Sequence, residues 1–228
     1  MLYTIVVNIS DEIEPERWKS LLNYIEADRR DSIEKFRFYV DKKRSLIAGL
    51  LVKAMVNEVY PSQNSEIAFF KNYYGKPYIK GFSNIYFNIS HSGDFVCCSI
   101  SDTEVGVDIE KINTNLDIEF FENIFSDEEW SQVMDKKSNN YDVFFSLWTL
   151  KESYVKKIGR GLSKELNSFS IILDKKIKIV DHREEKCNEQ FLLRKIGLCH
   201  KLAICSEQCN EHVEKEMTIG EFLDTYYY

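Results

Sequence analysis

The sequence runs to 228 residues, with 30 Lys+Arg against 37 Asp+Glu and a formal charge of −7. Nine Gly and three Pro, beside 44% hydrophobic and 14% aromatic residues, exclude collagen-like, linker-like and disordered chains and supply ample core. The acidic balance argues against extended nucleic-acid binding, which depends on a basic face, yet leaves room for one small polyanion at a local basic cluster.

The longest charge-free apolar stretches, Ser45–Val52 and Phe144–Leu150, fall far below the ~18 residues of a membrane span. The N-terminus Met1–Val7 has no basic lead and runs into Asp11 and Glu12, unlike a signal peptide. A cytoplasmic protein without a membrane or nucleic-acid partner is expected. Its six cysteines (Cys97, Cys98, Cys187, Cys199, Cys205, Cys209) then read as thiols and not as a disulfide framework. Cys199, Cys205, Cys209 and His212 lack the C-x₂-C knuckle of a structural zinc site.

In chain order, residues 2–9 alternate and are β-branched, which predicts a strand. Pro15 to Phe36 predicts one helix with Trp18, Leu21, Leu22 and Ile25 on a side. A second helix is expected from Asp41 to Tyr60, its first turn crowded by Lys42, Lys43 and Arg44. Such a cluster is either plain surface charge or a phosphate site where helix amides and basic side chains converge.

Short strands follow at Glu66–Phe70, Ile85–Ile89, Phe95–Ile100 and Glu104–Ile109. Ser126 with Glu129 forms a capping box for a short helix. A longer helix is expected over Asn140–Ile158, stopped by Gly159 at C′. The last third predicts strands at Phe169–Leu173, Ile177–Val180, Phe191–Ile196 and Lys201–Cys205, then a helix capped by Thr218 and Glu221. Helical material followed by an antiparallel meander thus occurs twice, with a boundary near Ser101–Glu110.

The richest segment is Gly106-Val107-Asp108-Ile109-Glu110. On a strand Asp108 and Glu110 project together while Val107 and Ile109 enter the core, and carboxylates this close repel unless a cation such as Mg²⁺ lies between them. Solvated acids at a strand end would give the same spacing. On the long helix Trp148, Glu152 and Lys156 stand at i, i+4 and i+8 and share one face; an exposed ion pair beside a core tryptophan is the plainer reading. Tyr74-Gly75-Lys76-Pro77 reads as a turn exposing Lys76, and Ser90-His91-Ser92 ends a strand beside Gly93. Neither G-x-x-x-x-G-K-[ST] nor G-x-G-x-x-G occurs, and no nucleophile elbow supports a hydrolase triad.

Together, Tyr74-Gly75-Lys76-Pro77, Phe87-Asn88-Ile89-Ser90-His91-Ser92, Gly106-Val107-Asp108-Ile109-Glu110 and Trp148-Thr149-Leu150-Lys151-Glu152-Ser153 closely resemble, in order and spacing, the signature set of Sfp-type 4′-phosphopantetheinyl transferases. The resemblance implies an α/β pseudodimer of two similar halves, each a small antiparallel sheet packed with helices, with the ligand cleft between them. The halves would be 1–105, on the coenzyme A 3′-phosphate and adenine side, and 106–228, carrying the metal ligands and carrier docking. The implied reaction is Mg²⁺-dependent transfer of the phosphopantetheine arm of coenzyme A to a serine of an acyl or peptidyl carrier protein, releasing 3′,5′-ADP.

By position, Asp108, Glu110 and Glu152 resemble the Mg²⁺ ligands, with Asp108 also on the coenzyme. Lys156 resembles the diphosphate lysine, and Lys76, Ser90 and His91 match coenzyme-binding positions. Arg44, with Lys42 and Lys43 close by, matches the basic helix start near the 3′-phosphate. The family's basic segment before that helix reads here Asp28-Arg29-Arg30-Asp31, with acids interleaved and Arg29 the best match. Glu152, as base or metal ligand, and Lys156 are the catalytic candidates. The carrier is expected near Gly159–Leu162, where Lys156, Lys157, Arg160, Leu162 and Lys164 mix basic and apolar character. A monomer is expected because one chain makes the cleft. The alternatives are a coenzyme A- or carrier-binding module without catalysis, and Mg²⁺-dependent hydrolysis of a small phosphate ester.

Overall fold

Strand β1 (Leu2–Asn8) is followed by helices α1 (Pro15–Leu21), α2 (Ala27–Glu34) and α3 (Tyr39–Val59). Strands β2 (Phe69–Lys71), β3 (Pro77–Ile79), β4 (Tyr86–Ser92), β5 (Phe95–Ser101) and β6 (Val105–Lys111) come next. Helices α4 (Asp127–Asp135) and α5 (Asn140–Ile158) lead to β7 (Phe169–Ile172), β8 (Lys178–Asp181), β9 (Gln190–Ile196), β10 (His200–Ser206), β11 (His212–Thr218) and α6 (Ile219–Tyr226). This computed structural model describes residues 1–61, 67–135, 139–181 and 188–228. The first residue of the strand expected at 66–70, Cys187, and the side chain of Leu162 lie outside the described set. The other five cysteines are free thiols.

Period-2 alternation decides which residues face which layer. The two larger sheets have the orders β11-β1-β5-β4 and β6-β10-β9, while β2 with β3 and β7 with β8 form separate two-stranded pairs. Tyr3, Ile5, Val7 and Cys98 pack toward α3, whose Leu46, Ile47, Leu50 and Leu51 are fully buried. Ala203 and Cys205 pack toward Leu147, Leu150 and Tyr154 of α5. The remaining faces of the two sheets meet each other through Leu2, Val6, Cys97, Val107, Ile109, Leu202 and Ile204. The layers therefore run helix, sheet, sheet, helix, as expected of an α/β chain built from two similar halves. Strands β5 and β10 both lie inside their sheets.

Three local expectations change. The single helix over 15–36 breaks: α1 ends at Leu21, and Ile25 is extended (φ −114°, ψ 158°). Its side chain is buried while Lys53 takes the Tyr24 carbonyl (2.7 Å) and pairs with Glu26 (2.7 Å), so tertiary partners replace helical ones there. Among the described residues all pairing is antiparallel except β1 with β11, which is parallel from Leu2↔His212 to Asn8↔Thr218. The expected 105/106 division is crossed by this return: β11 joins the first sheet, and Ile219, Phe222 and Leu223 of α6 enter the first half's core. Tyr227 donates to the Leu50 carbonyl (2.5 Å), and Glu58 accepts from Tyr3, Tyr226 and Lys215.

The capping boxes stand as expected. Ser126 N–H donates to Glu129 (2.8 Å), Thr218 N–H donates to Glu221 (2.8 Å), and Gly159 closes α5 at φ +66°. Behind α5, fully buried Lys151 donates to both Glu129 oxygens at 2.6 Å and to the Phe169 carbonyl at 2.8 Å, tying α4, α5 and β7 together.

His212 gives the parallel junction a pH dependence. Its Nε2 lies 3.1 Å from Thr4 Oγ1 and 4.0 Å from Glu214, and burial followed by the Arg194 charge lowers its pKa to about 4. The unfolded imidazole binds its proton near 6.5, so stability is full above that pH and falls as pH drops toward 4. Denaturant melts should lose on the order of 2–3 kcal/mol over this window, and His212→Gln should remove that part of the slope. An unchanged slope in the variant would assign it elsewhere.

Candidate active site

The site begins with a missing side chain. Alternation on β6 sends Val105, Val107 and Ile109 between the sheets and turns Gly106 and Asp108 the other way. A Cβ on Gly106 would lie 1.9 Å from the Ser153 carbonyl oxygen and 2.4 Å from the Lys157 nitrogen. Helix α5 therefore rests directly on β6, and its Trp148, Glu152 and Lys156 row shares a cleft with Asp108 and Glu110. The cleft encloses about 540 Å³; its other wall is Arg29, Asp41 and Arg44 of the first half, with Ser90 and His91 of β4 at the seam.

Asp108, only 2% exposed, is the centre. Its Oδ1 accepts from Lys156 Nζ at 2.5 Å and from Ser90 Oγ at 2.8 Å, while Lys156 also donates to Ser90 Oγ at 2.8 Å. Glu110 accepts from Ser92 Oγ at 2.9 Å. Burial, then repulsion from Asp108, raises the Glu110 pKa to about 6, and the same two causes in the same order raise that of Glu152. Burial works against the Lys156 charge, but the pull of Asp108, Cys97 and Glu152 outweighs it and lifts the ammonium above its usual value. His91 is lowered by its desolvated place in the cleft and then by Arg44 and Lys156.

Among the described residues no three His, Cys, Asp or Glu side chains are drawn close enough to hold one metal ion. The donor chemistry nevertheless suits a hard cation. Asp108 Oδ2 is buried without a hydrogen-bond partner, and two further carboxylates of raised pKa face the same cleft.

The basic residues divide. Arg44 lines the cleft with its guanidinium folded onto the Gly93 carbonyl (3.1 and 2.6 Å) and Asp41 (2.9 Å). Arg29 also lines it, held on the Ser45 carbonyl at 3.2 and 2.9 Å and packed where a Cβ on Gly49 would stand. Lys42 pairs with Glu34 (3.2 Å), and buried Lys43 donates to the Asp11 carbonyl (3.1 Å). Lys76 is not brought to the carboxylates. It is buried in a neighbouring groove of about 300 Å³ and donates to Glu104 (2.5 Å), the Lys157 carbonyl (2.7 Å) and the Val105 carbonyl (3.3 Å). That groove meets the main cleft at Glu152 and Lys156 and is floored by Gly159 and Gly161.

Three further residues belong to the constellation. Trp148 partners Glu110 and stacks on Phe144 (ring centroids 6.3 Å, 15°); the sequence marks it by its place in the i, i+4, i+8 row and at the head of the Trp148–Ser153 motif. Asn88 stands inside the Phe87–Ser92 motif and Asp41 one helical turn before Arg44, but neither has a role legible in the sequence, because the Val107 amide reaches Asn88 only in the fold and the Asp41–Arg44 pair reads as ordinary helix surface.

A family model described as 4′-phosphopantetheinyl transferase, N-terminal, matches residues 12–103, and one described as the 4′-phosphopantetheinyl transferase superfamily matches residues 104–205. The chain is 32% identical over 196 residues to the 4′-phosphopantetheinyl transferase ffp of Bacillus subtilis, covering 85% of this chain and 87% of that one. It is 30% identical over 213 residues to the 4′-phosphopantetheinyl transferase psf-1 of Bacillus pumilus, covering 90% of each. With the 4′-phosphopantetheinyl transferase Sfp of Bacillus subtilis strain 168 it shares 35% over 162 residues, 71% of this chain and 72% of that one.

Proposed function

The chain belongs to the 4′-phosphopantetheinyl transferase superfamily, and from that premise we propose how its own residues move the phosphopantetheine arm of coenzyme A onto a carrier-protein serine. The observation that carries the assignment of roles is the buried Asp108 carboxylate, with one oxygen on Lys156 and the other without a partner, in a cleft shared by Glu110 and Glu152.

Asp108, Glu110 and Glu152 would hold Mg²⁺, which when bound neutralises diphosphate charge and orients its oxygens. Lys156 places a fixed positive charge beside the same phosphates, and its raised pKa keeps it charged through the neutral range. Arg44, Arg29, Ser90 and His91 line the same cleft, which supports placing the nucleotide end and its 3′-phosphate there. The carrier serine oxygen forms a bond to the phosphorus bearing the pantetheine, and the bond from that phosphorus to the bridging oxygen breaks, releasing 3′,5′-ADP. The serine proton passes to Glu152 or to a water held by it; the raised pKa of Glu152 suits that base role, while a bound cation would lower it.

Lys76 then supports the groove wall: the three hydrogen bonds its ammonium makes among the described residues all go to protein acceptors. The carrier docks beside Gly159–Ser163, where the neighbouring groove opens. One chain makes both walls of the cleft, which supports a monomeric enzyme. No helix among the described residues is long and apolar enough to cross a membrane.

Incubation of apo-carrier proteins of the acyl and peptidyl types with coenzyme A and Mg²⁺ should add one phosphopantetheine, read by mass spectrometry, with 3′,5′-ADP released in equal amount. No mass gain on any of several carriers sinks the transferase reading for this chain. Coenzyme A binding without turnover would make it a binding module, and 3′,5′-ADP release without carrier would make it a hydrolase.

A further inference from the structure

Strands β4 and β6 lie side by side and run in the same direction, yet they belong to different sheets. Side chains join them where a backbone ladder would. The Val107 N–H donates to Asn88 Oδ1 at 2.8 Å, and Ser90 Oγ donates to Asp108 at 2.8 Å. At the far end Ser92 Oγ donates to Glu110 Oε2 at 2.9 Å and accepts from the Lys111 N–H at 3.0 Å. Asn88, Ser90 and Ser92 alternate along β4 and so face β6 together, while Phe87 and Ile89 face α3.

Among the described residues this row of side chains joins Asp108 and Glu110 directly to a strand of the first half's sheet without passing through the cores. A one-residue slip of β6 would send both carboxylates between the sheets and bring Val107 and Ile109 into the cleft. Asn88 removes that freedom at one end by accepting a backbone donor that would otherwise be buried unpaired. Ser92 removes it at the other, spanning a carboxylate oxygen and the next residue's amide with one hydroxyl.

We infer that Asn88 and Ser92 are positioning residues that fix the register of β6 against β4 and thereby hold Asp108 and Glu110 in the cleft. The inference rests on the metal reading above for its functional consequence, and on the hydrogen bonds alone for its structural one. Ser92 ends β4 half-buried beside the Gly93 turn, so Ser92→Ala keeps the packed core intact.

The test compares wild type, Ser92→Ala, Ser92→Thr, Asn88→Ala and Asn88→Asp, each checked for an unchanged cooperative melt. Amide hydrogen exchange should speed up at least about tenfold at Lys111 in Ser92→Ala, with β5 amides unmoved. Mn²⁺, titrated in the presence of coenzyme A and followed by electron paramagnetic resonance, should bind ~10-fold more weakly in Ser92→Ala. Its kcat should fall by a similar factor with the coenzyme A KM within about twofold. Ser92→Thr, which keeps the hydroxyl, should restore all three, and Asn88→Asp, which keeps the acceptor, should protect the Val107 amide where Asn88→Ala does not. Wild-type Mn²⁺ affinity and kcat in Ser92→Ala, or a Thr variant as impaired as the Ala variant, overturns the inference alone. Wild-type protein that binds no Mn²⁺ overturns the metal reading and takes the functional half of the inference with it.

Discussion

Gly106→Ala should lower the melting temperature by roughly 6–12 °C and leave turnover near background. The added methyl would sit 1.9 Å from one backbone atom of α5 and 2.4 Å from another. Neither is the end of a flexible side chain, so relief requires the helix or the strand to move as a body. Overpacking a core costs about 1–3 kcal/mol, and contact with a rigid backbone falls at or above the upper end. For a chain of 228 residues each 1 kcal/mol corresponds to roughly 2–4 °C, which gives the stated range. The displacement also carries Trp148, Glu152 and Lys156 away from Asp108, because all three ride on α5, so activity is lost even in molecules that fold. Calorimetry and the carrier mass assay measure the two effects separately. A variant with wild-type melting and turnover would show that α5 does not rest on β6 as described.

Asp108→Asn should cut kcat by at least about 10²–10³-fold, the size seen when one charge-stabilising group is taken from a closed site. The fold should tolerate it. An amide oxygen can still accept from Ser90 Oγ and Lys156 Nζ, and Lys156 is 28% exposed, so water can solvate part of its unmatched charge. A melting temperature within a few degrees of wild type, together with lost turnover and weakened divalent-cation binding, is the expected pattern. Full activity in this variant would mean that the metal is held elsewhere. Loss of coenzyme A binding without change in cation affinity would make Asp108 a coenzyme contact alone.

The chemistry of the cleft was legible where local geometry fixes it. Alternation puts Asp108 and Glu110 on one face and Val107 and Ile109 on the other, and a 3.6-residue period aligns Trp148, Glu152 and Lys156. Helix α5 and its Gly159 stop needed only capping rules. What stayed hidden depends on partners distant in the chain. Lys76 looks like a free turn lysine until Glu104 and the Lys157 carbonyl close on it. The break at Ile25 follows from Lys53, 28 residues on, and nothing in the 15–36 segment announces it. Strand β11, His-Val-Glu-Lys-Glu-Met-Thr, is absent from the predicted strands, because an edge strand shows one face to water and this one is rich in charge; its partner β1 is about 210 residues earlier.

That last pairing orders events during synthesis. A ribosome releases β1 first, and β5 can join it once residue 101 is out, but the other edge of β1 waits for β11 at 212–218. Until then Tyr3, Val7 and Leu50 lack the cover that Ile219, Phe222 and Tyr227 bring. The first half emerges first and is completed last, so a stalled or truncated nascent chain presents an open sheet edge however well its second half has folded.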